Sequence, residues 1–415
     1  MMSFVQTTEH RTLESSVEVN TSQSTSNSKR FDSIDSFRGL AALAVVFSHT
    51  WSGLSAAHFA SAEAVNQSVG ALLSYLFRGS SAYFMIITGF ILAAKLPAWK
   101  THQHGLLLRA AQRITKIVII YWIALALIMA INQIKSSFFG SGWYKSDLFD
   151  ILAQFLFFSN YLADPKHYLA AGWYLEADFI LFIALIACYF LWYKIPGHLQ
   201  TRLRPLIFVS TIVVVYFCVF TESEYPLDHG LNAPIRLLTY FVMGFLAWHA
   251  RTSVSAMFAL ICNSVLILIW NDLTGLHKFL YTSNAVVLTF IFYSSHYSKT
   301  LAVLTSQPLI IKLYKINFGM FLFNLFFIMI GMSIARHFFS HSVPGLIIIW
   351  VLFMAGLFIF CYYFTKYVQQ PVLNWHDATW KRLLNQSEQT PMRNEQNAEK
   401  GDELISPEPV RADMA

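Results

Sequence analysis

Charge is what this chain of 415 residues has little of: Asp, Glu, Lys and Arg make up 13% of it, against roughly 25% in a soluble domain. With 56% of its residues hydrophobic, that shortage excludes a water-soluble globular fold and points to a polytopic membrane protein. Cysteine is scarce as well. Cys188, Cys218, Cys262 and Cys361 each lie in an apolar run with no metal-ligand spacing, so they read as small buried hydrophobes and no metal is expected. Residues 1–30 are rich in Ser, Thr, Asn, Gln and Glu and hold no apolar run, which excludes a secretory signal there and predicts a disordered cytoplasmic tail. The stretch 377–415 is polar and charged and is expected to be a second, mostly disordered cytoplasmic tail, with no extracellular hydrolase-like domain after the last span. The two halves of the chain show no obvious repeat, and few spans carry a mid-helix acid or a Gly/Pro break. Those shortages speak against a transporter.

What is present between the tails is a series of long apolar runs, roughly 34–52, 76–95, 114–134, 171–193, 205–221, 235–250, 254–271, 279–295, 317–336 and 344–368. Each is long enough to be a candidate span, so the expected fold is all-α: a polytopic membrane helix bundle of about ten transmembrane helices, occupying residues 31–376. The run 151–158 is too short to cross and is expected to be an interfacial or re-entrant helix. Lysines and arginines test this count. Lys95, Lys100, Arg109, Arg113 and Lys116 crowd the loop before the third span. Lys194, Arg202 and Arg204, then Arg251, then Lys299, Lys312 and Lys315, then Lys366, Lys381 and Arg382 follow on the same side. The other side is sparser, with Arg78, Lys135, Lys145 and Lys166, and 221–228 is acidic. That bias predicts a multi-pass protein with both ends in the cytoplasm. The formal charge of +6 is thus first a topology signal, and no nucleic-acid partner is expected.

Two ionisable residues share the first span. Arg38 and His49 are separated by ten small or apolar residues. Eleven helical steps of about 100° make three turns plus about 20°, so both side chains point to nearly the same face, about 16 Å apart along the axis. Ionisable groups inside a bilayer are costly and face a partner or a wet cavity. An imidazole titrates in the range a general base needs and could also carry an acyl group. A guanidinium cannot deprotonate and serves as fixed positive charge, free to hold a donor or to pair with Asp35. Arg113 and Lys116 lie three apart on one helical face, with Arg109 a turn earlier, a basic ladder suited to phosphates.

The stretch FDSIDSFRGLAALAVVFSH (31–49) resembles the opening of the membrane acyltransferase-3 family, whose first helix carries a basic residue, ten residues and a histidine. SSAYFMIITGFIL (80–92) is similar to its second-helix segment, with Thr88 where serine is usual, and QRITKIVIIYW (112–122) to its basic third-helix segment. WYLE (173–176), 236–244 and 314–324 extend the likeness, which covers roughly residues 31–376. Two departures stand out: Asn324 replaces a late histidine, and Gln370 lies in QQP (369–371) where the family has an acid before proline. The resemblance implies a bacterial inner-membrane O-acyltransferase moving an acyl group, expected to be acetyl, from cytoplasmic acyl-CoA to a hydroxyl of a cell-envelope carbohydrate or lipid-linked glycan. Acyl-CoA is then a co-substrate and no cofactor is permanently bound. His49 and Arg38 are the expected catalytic residues; Arg113, Lys116 and Arg109 the expected acyl-CoA contacts; Glu176, Trp173 and Asp35 the expected acceptor or orienting residues. Interface placement would account equally for Glu176 and for Asp178. The alternative to an enzyme is a membrane transporter or exporter with an intramembrane charged relay.

Overall fold

The computed structural model describes residues 34, 36–51, 77, 80–99, 105–139, 148–159, 162, 169, 172–224, 232–272, 276–295, 307–338 and 343–383. Among them every regular element is a helix. In chain order these are α1 (36–51), α2 (Ser80–Trp99), α3 (Gly105–Phe139), α4 (Leu148–Phe155), α5 (Gly172–Lys194) and α6 (Gly197–Glu224). After them come α7 (Asn232–His249), α8 (Val254–Asp272), α9 (Leu276–Ser295), α10 (Pro308–Phe338) and α11 (Val343–Phe364). A π-turn over Thr365–Gln369 then leads into α12 (370–383).

Five of the described segments are long and apolar enough to cross a bilayer: Gly105–Ile134, Gly172–Lys194, Gly197–Phe220, Pro308–Ile334 and Ile347–Leu383. Shorter apolar helices occupy Ser81–Pro97, Leu237–His249, Val254–Ile269 and Thr282–Ser294. Together with α1 they coincide with the apolar runs read from the sequence, and the molecule is a polytopic membrane helix bundle. The large exposed apolar side chains, such as Leu206, Val213, Phe217, Ile269, Leu352 and Ile359, form the outer skin of such a bundle. Lipid, not water, is their solvent.

Helix α4 shows the membrane's influence on a small scale. It spans Leu148–Phe155 rather than 151–158, and its eight residues are too few to cross. Leu148, Phe149 and Leu152 are exposed while Asp150, Ala153 and Gln154 are buried, so the apolar face looks outward and the polar face into the protein. Immediately after it Phe157 adopts a left-handed backbone, φ 60°, unusual for a bulky residue. Its ring pays for that turn by stacking on Phe179 at 5.2 Å and packing against Tyr121 at 4.6 Å.

Close backbone contact organises the rest. Helix α2 packs most extensively on α7, which also touches α5, α6, α8 and α9. Glycine makes that possible: a Cβ on Gly89 would overlap the Phe241 carbonyl oxygen, and one on Gly244 would overlap that of Ile86. Small residues at such crossings let membrane helices approach backbone to backbone, which replaces the hydrophobic drive that lipid removes. A third glycine joins α1 to α10, where a Cβ on Gly39 would lie 2.6 Å from the Tyr314 backbone nitrogen. Because Gly39 follows Arg38 directly, this contact sets where that guanidinium stands.

Candidate active site

A cavity of about 690 Å³ opens between α1, α2, α3, α5, α10 and the segment after α11. Its walls carry the cations Arg38, Lys95, Arg109, Arg113, Lys116 and Lys315 against the carboxylates Asp178 and Asp377. Each element places its share for a local reason. Helix α3 has 35 residues, about 50 Å at 1.5 Å per residue, against a hydrocarbon core of about 30 Å. Its basic first turns therefore stand clear of the hydrocarbon, and the i, i+3 and i+4 spacing turns Arg109, Gln112, Arg113 and Lys116 to the same cavity.

The buried end of this ladder sets one carboxylate against two arginines. Asp178 is buried and interacts electrostatically with both Arg113 and Arg38. The Arg113 guanidinium also lies over the Phe182 ring, 5.2 Å from its centroid. Thr88 lines the same cavity. Asp178 is turned into the protein by α5, onto the cavity that Arg38 and Arg113 also line.

The lower wall depends on a proline. Pro371 has no N–H to give to the carbonyl four residues back, and its ring would collide with that carbonyl. The chain widens into the π-turn Thr365–Gln369, in which the Gln370 N–H reaches the Thr365 carbonyl. Such one-turn π segments recur at functional sites. Here the widened turn brings Gln369, Gln370, Leu373 and Asp377 onto the cavity. Asp377 meets Lys116 with Oδ2 at 2.9 Å and Oδ1 at 3.3 Å from Nζ. Next to it the nearly buried His376 ring contacts Thr115 Oγ1 through Nε2 at 2.8 Å and Asp377 Oδ1 through Nδ1 at 3.2 Å. The residue-376 boundary drawn from sequence thus falls inside a helix, and Asp377 beyond it is a wall residue. Sequence reading missed it because α12 is too polar to resemble a span; the QQP signal just before it was the available clue.

Opposite the basic end, Phe84, Tyr174 and Phe321 line the cavity and meet edge to face, with ring centroids 6.0, 5.3 and 5.2 Å apart. Trp173 packs edge-on against Tyr174 at 6.0 Å, backing this triad without lining the cavity. Beyond it the polar groups are fewer and buried. Glu176 is fully buried and accepts the hydroxyl hydrogen bond of the equally buried Ser159, a residue positioned by the Phe157 turn.

The structure therefore brings Arg38, Arg109, Arg113 and Lys116 around one cavity. His49 is not among its lining residues. It is exposed near the far end of the unbroken α1, beside Thr50, whose oxygen accepts the Trp350 indole N–H at 3.2 Å. Glu176 and Trp173 are not among the cavity's lining residues either, and Asp35 lies outside the described residues. Asn324 is buried with its amide donating to the Phe321 and Met320 carbonyls of its own helix, at 2.5 and 3.2 Å. No group of metal-ligating side chains occurs among the described residues, and none of the four cysteines is in a disulfide.

A membrane helix bundle enclosing a basic, charge-lined cavity is the class these features define. The chain belongs to the acyltransferase-3 family, whose model, described as an acyltransferase domain, matches residues 31–271. The match holds Arg38, His49, the basic ladder of α3 and the α5 acids; the cavity residues of α10 and α12 lie outside it. No curated protein and no solved structure matches the chain.

Proposed function

We propose that this membrane acyltransferase takes its acyl group from acyl-CoA, acetyl-CoA foremost, and delivers it to a hydroxyl of a cell-envelope carbohydrate or lipid-linked glycan. The single observation that carries the donor site is the cavity wall itself: Arg38, Lys95, Arg109, Arg113, Lys116 and Lys315 around one space, with Asp178 and Asp377 as the acids among its described lining residues. A surplus of cations in a partly desolvated cleft suits a polyanionic nucleotide. Arg109, Arg113 and Lys116 bind its phosphates, and the flexible pantetheine arm extends past Arg38 and the Phe84–Tyr174–Phe321 triad toward His49. The imidazole takes the proton of the acceptor hydroxyl as its oxygen attacks the thioester carbonyl. A C–O bond forms, the C–S bond breaks, and the CoA thiolate recovers the proton. Glu176 and Trp173 serve the acceptor side, Glu176 as a carboxylate for sugar hydroxyls or for orienting the imidazole. The protein sits in a bacterial inner membrane with both ends cytoplasmic, in line with the lysine and arginine bias of its loops.

The test is acylation of envelope glycans, read by mass spectrometry in cells carrying wild-type, Arg38→Ala or His49→Ala protein. Both variants are expected to insert normally and to lose acylation; wild-type acylation by His49→Ala removes the mechanism. One observation favours a second reading, a transporter with a charged relay: Arg38, Asp178 and Arg113 interact on one cavity wall. Acyl-CoA hydrolysis or exchange by purified protein separates the two, because a carrier shows neither.

A further inference from the structure

We propose that Asp377 is a built-in competitor for the donor: it occupies Lys116 when the cavity is empty, and so sets how tightly the cavity holds a phosphorylated ligand. The inference rests on the reading of the cavity as the acyl-CoA site and names a residue that tunes it.

The two acids of the cavity face two cations of the same helix, but in different surroundings. Asp178 is buried and interacts electrostatically with Arg113 and Arg38, where removing the carboxylate leaves two cations without it. Asp377 and Lys116 are half exposed, with 47% and 42% of their side chains accessible. An ion pair that water reaches is weakly held. A phosphate offers more charge and three acceptor oxygens, and so can take the lysine from the carboxylate. The displaced carboxylate need not move its helix, because His376 keeps α12 on α3 through Thr115. The ring touches Thr115 Oγ1 through Nε2 and Asp377 Oδ1 through Nδ1, so the two helices stay joined at Thr115 whichever partner Lys116 takes. The π-turn supplies the geometry. It is the widened stretch Thr365–Gln369 that precedes the face carrying Gln370, Leu373 and Asp377 on the cavity.

Asp377 is accordingly a positioning residue acting through Lys116, and a double-mutant cycle on the full-length protein tests it. Binding of coenzyme A to detergent-purified protein is measured by calorimetry for wild type, Asp377→Asn, Asp377→Glu, Lys116→Met and the Asp377→Asn/Lys116→Met pair. Asp377→Asn is expected to lower the dissociation constant roughly twofold to fivefold, Asp377→Glu to restore the wild-type value, and Asp377→Asn to change nothing once Lys116 is methionine. Unaltered or weaker binding by Asp377→Asn overturns the proposal, and so does equal tightening without the lysine. Should the asparagine variant fail to fold, Asp377→Ser carries the same expectation. A folded wild type that binds no coenzyme A removes the donor reading and this inference together. A wild type that binds, alongside variants that do not tighten, removes the inference alone.

Discussion

The α2–α7 seam and the walls of the cavity meet at one helix, α2, and are built by opposite means. At the seam, Gly89 and Gly244 bring two backbones together until no side-chain atom fits between them. At the cavity, α1, α3 and α5 present Arg38, Arg113 and Asp178 to a shared space. The glycine seam makes rigidity cheap on one side of α2, and the charged wall leaves space on the other. A membrane protein has no water-driven core to hold such a space open, so the dry seam is what lets the wet one exist.

The contrast can be broken from either side. Removing the buried carboxylate should have the largest effect: Asp178→Ala leaves Arg38 and Arg113 facing one another and should cost about 3 kcal/mol of stability, seen as a lowered melting temperature in detergent. Full recovery is expected only when a neutral residue also replaces Arg113. Gly244→Val attacks the dry side. The backbones must part or the side chain must strain, at about 1–3 kcal/mol; the loss should appear as lower yield of monodisperse protein, and Gly89→Val should match it. Pro371→Ala sharpens the comparison without adding bulk. Restoring the N–H lets the chain close its π-turn, swings Asp377 off Lys116, and should raise the affinity for coenzyme A severalfold while leaving the melting temperature nearly unchanged. The smallest effect belongs to Lys116→Met, whose half-exposed pair is worth about 0–1 kcal/mol of stability, although the same change should measurably weaken coenzyme A binding.

Legibility followed range. The apolar runs foretold the helices because hydropathy and bilayer thickness act locally, and the Arg38–His49 spacing was readable because a single helix carries both. The α3 ladder was readable for the same reason. Asp178 was not: a lone acid in the opening turns of a span is equally an interface residue until the neighbouring helices are known. Asp377 was hidden more deeply, since the polar stretch around it resembled a tail and only Pro371 hinted at the turn before it. Of the pair expected to share one space, Arg38 lines the described cavity and His49 does not.

By itself, then, the order of residues determined a bilayer protein, its helices, the family it belongs to, and which side chains share a helical face, because each follows from contacts within a few turns of chain or between chain and solvent. Tertiary structure alone decided which face meets which. Whether an acid finds an arginine, or a lysine an aspartate 261 positions away, depends on where glycines let backbones touch and where a proline turns a helix, and those are properties of pairs of segments that no single segment encodes.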